Sequence, residues 1–206
     1  MNRQGPQNEW IQESERALLD SPFMSIHELT CRSSEDSRRL KFYTMRSRNW
    51  CNIIPVTEDG KIVLIKQYRI GIAKHTIEIP GGVVDPEDDH VQATAIREMT
   101  EETGYVALPG ARCINLGTSY PNPAIQNNIV TSLIVGPVRK TQEQKLDVGE
   151  MIETFEVPIS EIPKLIADGT INHALMLDTF FFLLLKTPGA NELLEKALKE
   201  FSQAPA

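Results

Sequence analysis

The chain has 206 residues, 41% of them hydrophobic and 24% charged, with a formal net charge of -7. This profile excludes disordered and fibrous classes and predicts a globular fold with a sizeable core, one domain with an appendage rather than two full domains. No Lys/Arg block forms a nucleic-acid footprint, so no nucleic-acid partner is expected.

Taken in chain order, the polar start "MNRQGPQNEW" has no apolar h-region and does not read as a secretory signal. Residues 25–44 carry two predicted strands, "SIHELTC" and "LKFYTM", joined by the polar turn "RSSEDSRR". "NIIPVTEDGKIVLIKQYR" reads as a hairpin around "EDG", and "HTIEI" as a short strand stopped by "PGG". "DDHVQATAIREMTEET" has good helix formers, no Gly or Pro inside, and Gly104 as a stop; Asp89 is the expected N-cap, with Gln92 completing a capping box. Strands follow near "RCINLG", "NIVTSLIVG" and "MIETFEV", then helices at "SEIPKLIADG", "INHALMLDTFFFLLLK" and "ANELLEKALKEF". The predicted fold class is α/β (α+β), a mixed sheet flanked by helices with a strand-rich N-terminal extension.

The run "TFFFLLL" is too short to cross a bilayer and reads as a buried helix segment, so no membrane partner is expected. Cys31, Cys51 and Cys113 are dispersed and odd in number, which argues against a zinc site or disulfide framework and for a cytoplasmic setting. His27, His75, His90 and His173 share no metal-ligand spacing and read as structural.

The stretch "REMTEETG", Arg97 to Gly104, carries the chemistry. Three acids stand near the C-terminal end of a helix, where the dipole is already negative, and Glu98 and Glu102 repel each other across one turn. On an ideal helix Glu102 lies about 40° to one side of Glu98 and Glu101 about 60° to the other, so all three share a sector. Clustered carboxylates are hard oxygen ligands suited to Mg²⁺ or Mn²⁺, and a divalent ion relieves both repulsions. The plain alternative is a solvated acidic face balanced by Arg97; the upstream "PGG" at a strand end favours a site.

"GGVVDPEDDHVQATAIREMTEETGY", Gly81 to Tyr105, resembles the Nudix box, G-x5-E-x7-R-E-U-x-E-E-x-G-U. Arg97 to Tyr105 match throughout. The N-terminal half departs: it is one residue longer between Gly82 and Arg97, and Asp88 or Asp89 replaces the first Glu. "VLIKQYR", "HTIEIPGG", "LGTSYPNPAI", "DVGEMIETFEVP" and "LIADGTINHALMLDTFFFLLLK" resemble segments of ADP-ribose pyrophosphatases and related nucleotide-sugar hydrolases.

This resemblance implies an α/β/α Nudix sandwich over residues 49–206, and an N-terminal β-rich extension over 1–48 that exchanges across a homodimer. It implies Mg²⁺-dependent hydrolysis of the diphosphate of a nucleoside diphosphate sugar, ADP-ribose first. GDP-mannose or another such sugar is the alternative substrate, and a non-catalytic nucleotide-sugar sensor the alternative of another class. Glu98 and Glu102 are the expected metal ligands, with Glu101 sharing or supporting them and the Gly81 carbonyl added by resemblance. Arg97 is expected to orient a box Glu. The general base is sought in the loop after the box, among Glu143, Asp147, Glu150 and Glu153; Glu150 best matches the motif position. Arg69 is a candidate phosphate ligand or a strand-end surface arginine. Glu78 is a candidate for a sugar hydroxyl or metal support, or caps its strand. Trp50 stacks on a base or belongs to the core.

Overall fold

In the computed structural model the described residues are 8–85, 87–190 and 192. They form two compact units: the described residues up to Asn49 with Tyr120–Ile129, and Trp50–Ser119 with the described residues from Val130 on. The segment Tyr120–Ile129 thus groups with the first unit, although the sequence alone assigns it to the second part.

The first unit is an antiparallel sheet of β1 (Trp10–Asp20), β2 (Met24–Ser33) and β3 (Arg39–Ser47) in that order. The expected turn between β2 and β3 is present, with Ser37 at φ 60 and the Ser33 hydroxyl accepting from the Glu35 N–H at 3.2 Å. β1 was not foreseen. All its residues are exposed, so it lacks the alternation that marks a half-buried strand. Cross-strand charge pairs hold it: Glu13 with Arg32 (2.9 Å) and Arg39 (2.7 Å), and Glu15 with Arg46 (2.7 Å). Tyr120–Ile129 adds to β3 through the Met45 N–H, which donates to the Ile125 carbonyl at 2.7 Å.

The second unit is a mixed sheet of β4 (Trp50–Thr57), β5 (Lys61–Arg69), β6 (Lys74–Glu78), β7 (Gly81–Val83), β8 (Tyr105–Ser119), β9 (Val130–Lys140) and β10 (Ile152–Pro158). β4 runs parallel to β9, and the other pairings are antiparallel. β4 and β5 pair at Val56 and Ile62 and then part. β6 pairs with β5 and β7 with β4, so the "PGG" segment fills the fork between them.

Strand alternation sends side chains to two cores. Cys51, Ile53, Val63, Leu133 and Val135 pack with Ala95 and Met99 of α1 (Val91–Thr103). Ile54, Ile62, Leu64 and Leu116 pack with Ile162 of α2 (Ile162–Ala167) and with Met176 and Phe180 of α3 (Ala174–Lys186). This is the expected α/β/α sandwich.

Two local expectations are corrected. The N-cap of α1 is His90, not Asp89, and no side chain closes a capping box there; the nearby Asp88 carboxylate accepts instead from the Thr94 hydroxyl at 2.5 Å. The "TFFFLLL" run is only partly buried: Thr179 and Phe180 are inside, while Phe181, Leu184 and Leu185 are exposed. The helix expected at "ANELLEKALKEF" lies almost entirely outside the described residues, as do Met1 to Gln7. Among the described residues no helix is long and apolar enough to cross a membrane.

Candidate active site

α1 brings Arg97, Glu98, Glu101 and Glu102 to one side of the second unit, next to the Gly81–Gly82 turn into β7. Glu102 is 4% exposed, and one carboxylate oxygen accepts from the Gly81 N–H at 3.0 Å. Glu98 packs against Gly82 so closely that a Cβ there would lie 2.3 Å from the Glu98 carboxyl carbon. A Cβ on Gly81 would meet the Cys51 carbonyl oxygen at 2.3 Å. Gly81 accepts no side chain without moving the strand, and a side chain at Gly82 would displace the Glu98 carboxylate.

Burial pushes the Glu98 carboxyl up to about 7; Arg97 opposes the shift, and repulsion from Glu101 and Glu150 adds to it. Burial likewise raises Glu102 well above the ordinary carboxylate range. The Gly81 N–H works against this, but Glu150 and Glu98 push the same way. Glu150 is therefore within electrostatic reach of both box acids.

Arg97 Nη1 lies 3.0 Å from Glu98 and 2.9 Å from Glu101, and Nη2 lies 3.5 Å from Asp85 and 3.6 Å from Asp88. Of the two aspartates left open by the sequence, Asp88 is the one that faces Arg97. Burial works against the guanidinium charge, but the Glu98, Glu101 and Asp88 carboxylates outweigh it and hold Arg97 above its ordinary value.

A second buried group sits on β5 and β6. Glu78 is 1% exposed and receives a fork from Arg69, Nε to Oε1 at 2.8 Å and Nη2 to Oε2 at 2.6 Å. The Thr76 hydroxyl donates to Glu78 at 2.5 Å, and His173 Nδ1, at the start of α3, lies 3.2 Å away. Burial opposes the Glu78 charge, yet Arg69, His173 and Thr76 together hold its carboxyl down at about 2. No sequence spacing links α3 to β6, so the partnership of His173 and Thr76 with Glu78 is a feature of the fold, and His173 is more than the structural residue expected. Glu78 orients Arg69, and the fork uses two of the five guanidinium N–H groups, leaving three for a ligand.

The remaining candidates separate by exposure. Glu150 is half-buried, and its carboxylate accepts from the Asp147 N–H at 2.9 Å. Glu143 and Asp147 are exposed, and Glu153 reaches outward to Lys66 at 3.3 Å. The Trp50 indole N–H donates to Asn52 at 2.8 Å and stands half-buried at the start of β4.

The family model described as the NUDIX domain matches residues 45–180. The chain belongs to the Nudix family. It is a Nudix hydrolase, and members of this family generally use divalent metal ions. It is 29% identical over 135 residues to an "ADP-ribose pyrophosphatase" of Bacillus subtilis (strain 168), covering 65% of this chain and 71% of that protein. It is 31% identical over 120 residues to a "Methanol dehydrogenase activator" of Bacillus methanolicus, covering 58% of this chain and 63% of that one. A solved structure titled "Crystal structure of ADP compounds hydrolase" superposes with a TM-score of 0.75 at 19% identity, over 85% of this chain and 92% of that chain, a likeness of fold.

Among the described residues no three His, Cys, Asp or Glu side chains form a ready-made metal cage; Glu98 and Glu101 lean on Arg97 and Glu102 on the Gly81 amide. The donor set still fits a hard divalent cation. Glu98 and Glu102 are oxygen donors one helical turn apart, burial disfavours the charge on both and Glu150 adds to that, and Gly82 leaves room for the Glu98 carboxyl where a Cβ would fill it.

Proposed function

We propose that this Nudix hydrolase cleaves the diphosphate of a nucleoside diphosphate sugar, with ADP-ribose as the preferred substrate, giving AMP and ribose 5-phosphate. Glu98 and Glu102 would hold Mg²⁺, or Mn²⁺ in its place, with Glu101 and the Gly81 carbonyl in support. That ion supplies charge neutralisation on the phosphates and acidifies water. The observation that carries the reading is the placement of the box carboxylates, Glu102 buried on the Gly81 N–H and Glu98 packed against Gly82, together with Arg69 prealigned by Glu78.

The chain's own residues supply the rest. Arg69, fixed by Glu78, presents its free N–H groups to a phosphate oxygen. Arg97 holds Glu101 and Glu98 in place on the helix. Glu150 takes the proton of the attacking water as the new P–O bond forms and the bridging P–O bond breaks, the bridging oxygen leaving on the second phosphate. Trp50 offers its ring for stacking on the base. The dividing line between residues 48 and 49 and a homodimer built through the N-terminal strands belong to the same proposal, as does a cytoplasmic setting.

The test is a coupled phosphatase assay with ADP-ribose, GDP-mannose, UDP-glucose and diadenosine polyphosphates, each with Mg²⁺ and with Mn²⁺. Highest kcat/KM on ADP-ribose supports the reading. A clear preference for GDP-mannose moves the substrate, and no turnover on any of them, with tight ADP-ribose binding, turns the chain into a sensor.

A further inference from the structure

The loop that carries Glu150 runs from the end of β9 to the start of β10, residues 141–151. Its first half closes the C-terminus of α1, where the last carbonyls of a helix have no partner of their own. The Thr141 and Gln142 N–H groups donate to the Gly104 carbonyl at 3.1 and 3.2 Å, and the Lys145 N–H to the Glu101 carbonyl at 2.8 Å. The Glu102 carbonyl is met by a side chain: Gln144 Nε2 donates to it at 2.5 Å.

The same amide nitrogen lies 3.2 Å from the Ile152 carbonyl and 3.2 Å from the Thr154 hydroxyl, both on β10. Gln144 therefore touches three things at once: the turn of α1 that bears Glu102, the entry of the loop, and the strand into which the loop returns. Between Lys145 and Met151 the loop is tied within itself, by the Glu150 N–H to the Asp147 carbonyl at 3.0 Å and the Asp147 N–H to the Glu150 carboxylate at 2.9 Å. Val148 at its tip is fully exposed, and Gly149 turns at φ 99. The side chain that joins the two sides of the loop's neck to the helix is Gln144.

We propose that Gln144 is a positioning residue that fixes the Glu150 loop against the acid-bearing turn of α1. An amide has two N–H donors and so satisfies a helix carbonyl and a strand acceptor together, which a hydroxyl cannot do. Removing it frees the neck and displaces Glu150 from the box acids, where a shift on the order of 1 Å costs up to about 10²-fold in rate. The inference rests on the reading of Glu150 as the base.

The experiment is a kinetic cycle of Gln144→Met, Glu150→Gln and the double variant, on ADP-ribose with titrated Mg²⁺. Gln144→Met is expected to lower kcat about 10- to 100-fold while KM and the half-saturating Mg²⁺ stay within about threefold. In the Glu150→Gln background the same change is expected to cost less than about twofold, since the loop then carries nothing to position. A lowered melting temperature with unchanged kcat, or losses that multiply in the double variant, makes Gln144 merely structural and overturns the proposal. If Glu150→Gln alone is silent, the assignment of the base fails, and the role of Gln144 falls with it. Should Gln144→Met not fold, Gln144→Asn keeps the amide but shortens its reach and is expected to lower kcat about two- to tenfold with KM unchanged; unchanged kcat there also overturns the proposal.

Discussion

Glu78 and Glu102 are buried to nearly the same degree, 1% and 4% exposed, yet their carboxyls have moved in opposite directions. Burial penalises the charge on both. Glu78 is answered by the Arg69 fork, the Thr76 hydroxyl and His173, which hold it ionised. Glu102 is answered by one backbone N–H and only weakly by Arg69, and it faces Glu98 and Glu150. Where the chain supplies its own cation, a buried acid supports the framework; where like charges face it, the acid is left able to take a cation from outside, as proposed above.

The largest effect is expected at the acid that adds to the repulsion without belonging to α1. Glu150→Gln is predicted to lower kcat by roughly 10²- to 10⁴-fold with KM little changed, the range for a positioned acid or base. Its apparent Mg²⁺ affinity is expected to change less than that of Glu102→Gln. Near-normal turnover in Glu150→Gln places the base elsewhere.

Glu102→Gln is predicted to lose activity on the order of 10²-fold or more, because it removes charge that a cation needs, while the fold stays intact. Without metal the variant is expected to be at least as stable as the parent, since it relieves a buried repulsion. Glu78→Gln is predicted to behave in the reverse way on stability, losing roughly 3 kcal/mol as the Arg69 fork is left facing a neutral amide. The acid side follows with a defined sign. A carboxyl held at about 2 when folded, against 4.5 as its ordinary value, stabilises the fold above pH 4.5 and loses that contribution as pH falls towards 2. Denaturant unfolding of parent and Glu78→Gln is therefore expected to show a stability gap at pH 6 that narrows through this window. A gap independent of pH breaks the comparison at Glu78, and a destabilised Glu102→Gln breaks it at Glu102.

These contrasts also mark what the sequence could carry. The box helix was legible because its signals are local: helix formers, a Gly104 stop, and acids at one-turn spacing. The N-cap differs from the sequence expectation because side chains on the helix itself engage the preceding acids; the Asp88 carboxylate accepts from the Thr94 hydroxyl and faces Arg97. β1 left no apolar alternation, since Glu13 and Glu15 hold it by charges on β2 and β3. Glu78 was read as a possible sugar or metal contact because Thr76, Arg69 and especially His173 converge on it only after folding. Gln144 had no signal, because an amide that caps another element's carbonyl looks like any polar loop residue.

A smaller effect is expected from metal itself. Binding to the folded state alone stabilises by about 2.7 kcal/mol at a hundredfold excess over Kd, which moves the melting temperature by several degrees. Mg²⁺ or Mn²⁺ added after EDTA is expected to raise Tm in the parent and much less in Glu102→Gln, whereas Glu78→Gln should keep the full response. A Tm indifferent to metal in all three removes the outside cation from the comparison.

The smallest effect is expected at an acid that is not buried at all. Glu153 shares the loop-to-β10 region with Glu150, but its side chain is 75% exposed and lies 3.3 Å from Lys66 across the strand pair. An exposed ion pair of this kind is worth roughly 0.2–1 kcal/mol, and solvent screens its field before it reaches α1. Glu153→Gln is accordingly predicted to change stability by less than about 1 kcal/mol and kcat by less than about twofold. Added salt should erase even that difference. The same kinetic series that measures Glu150→Gln checks it, and a large loss of kcat at Glu153 with Glu150 silent would mean that exposure does not sort the acids of this region, so that burial could no longer be used to tell the cation-seeking carboxylates from the rest.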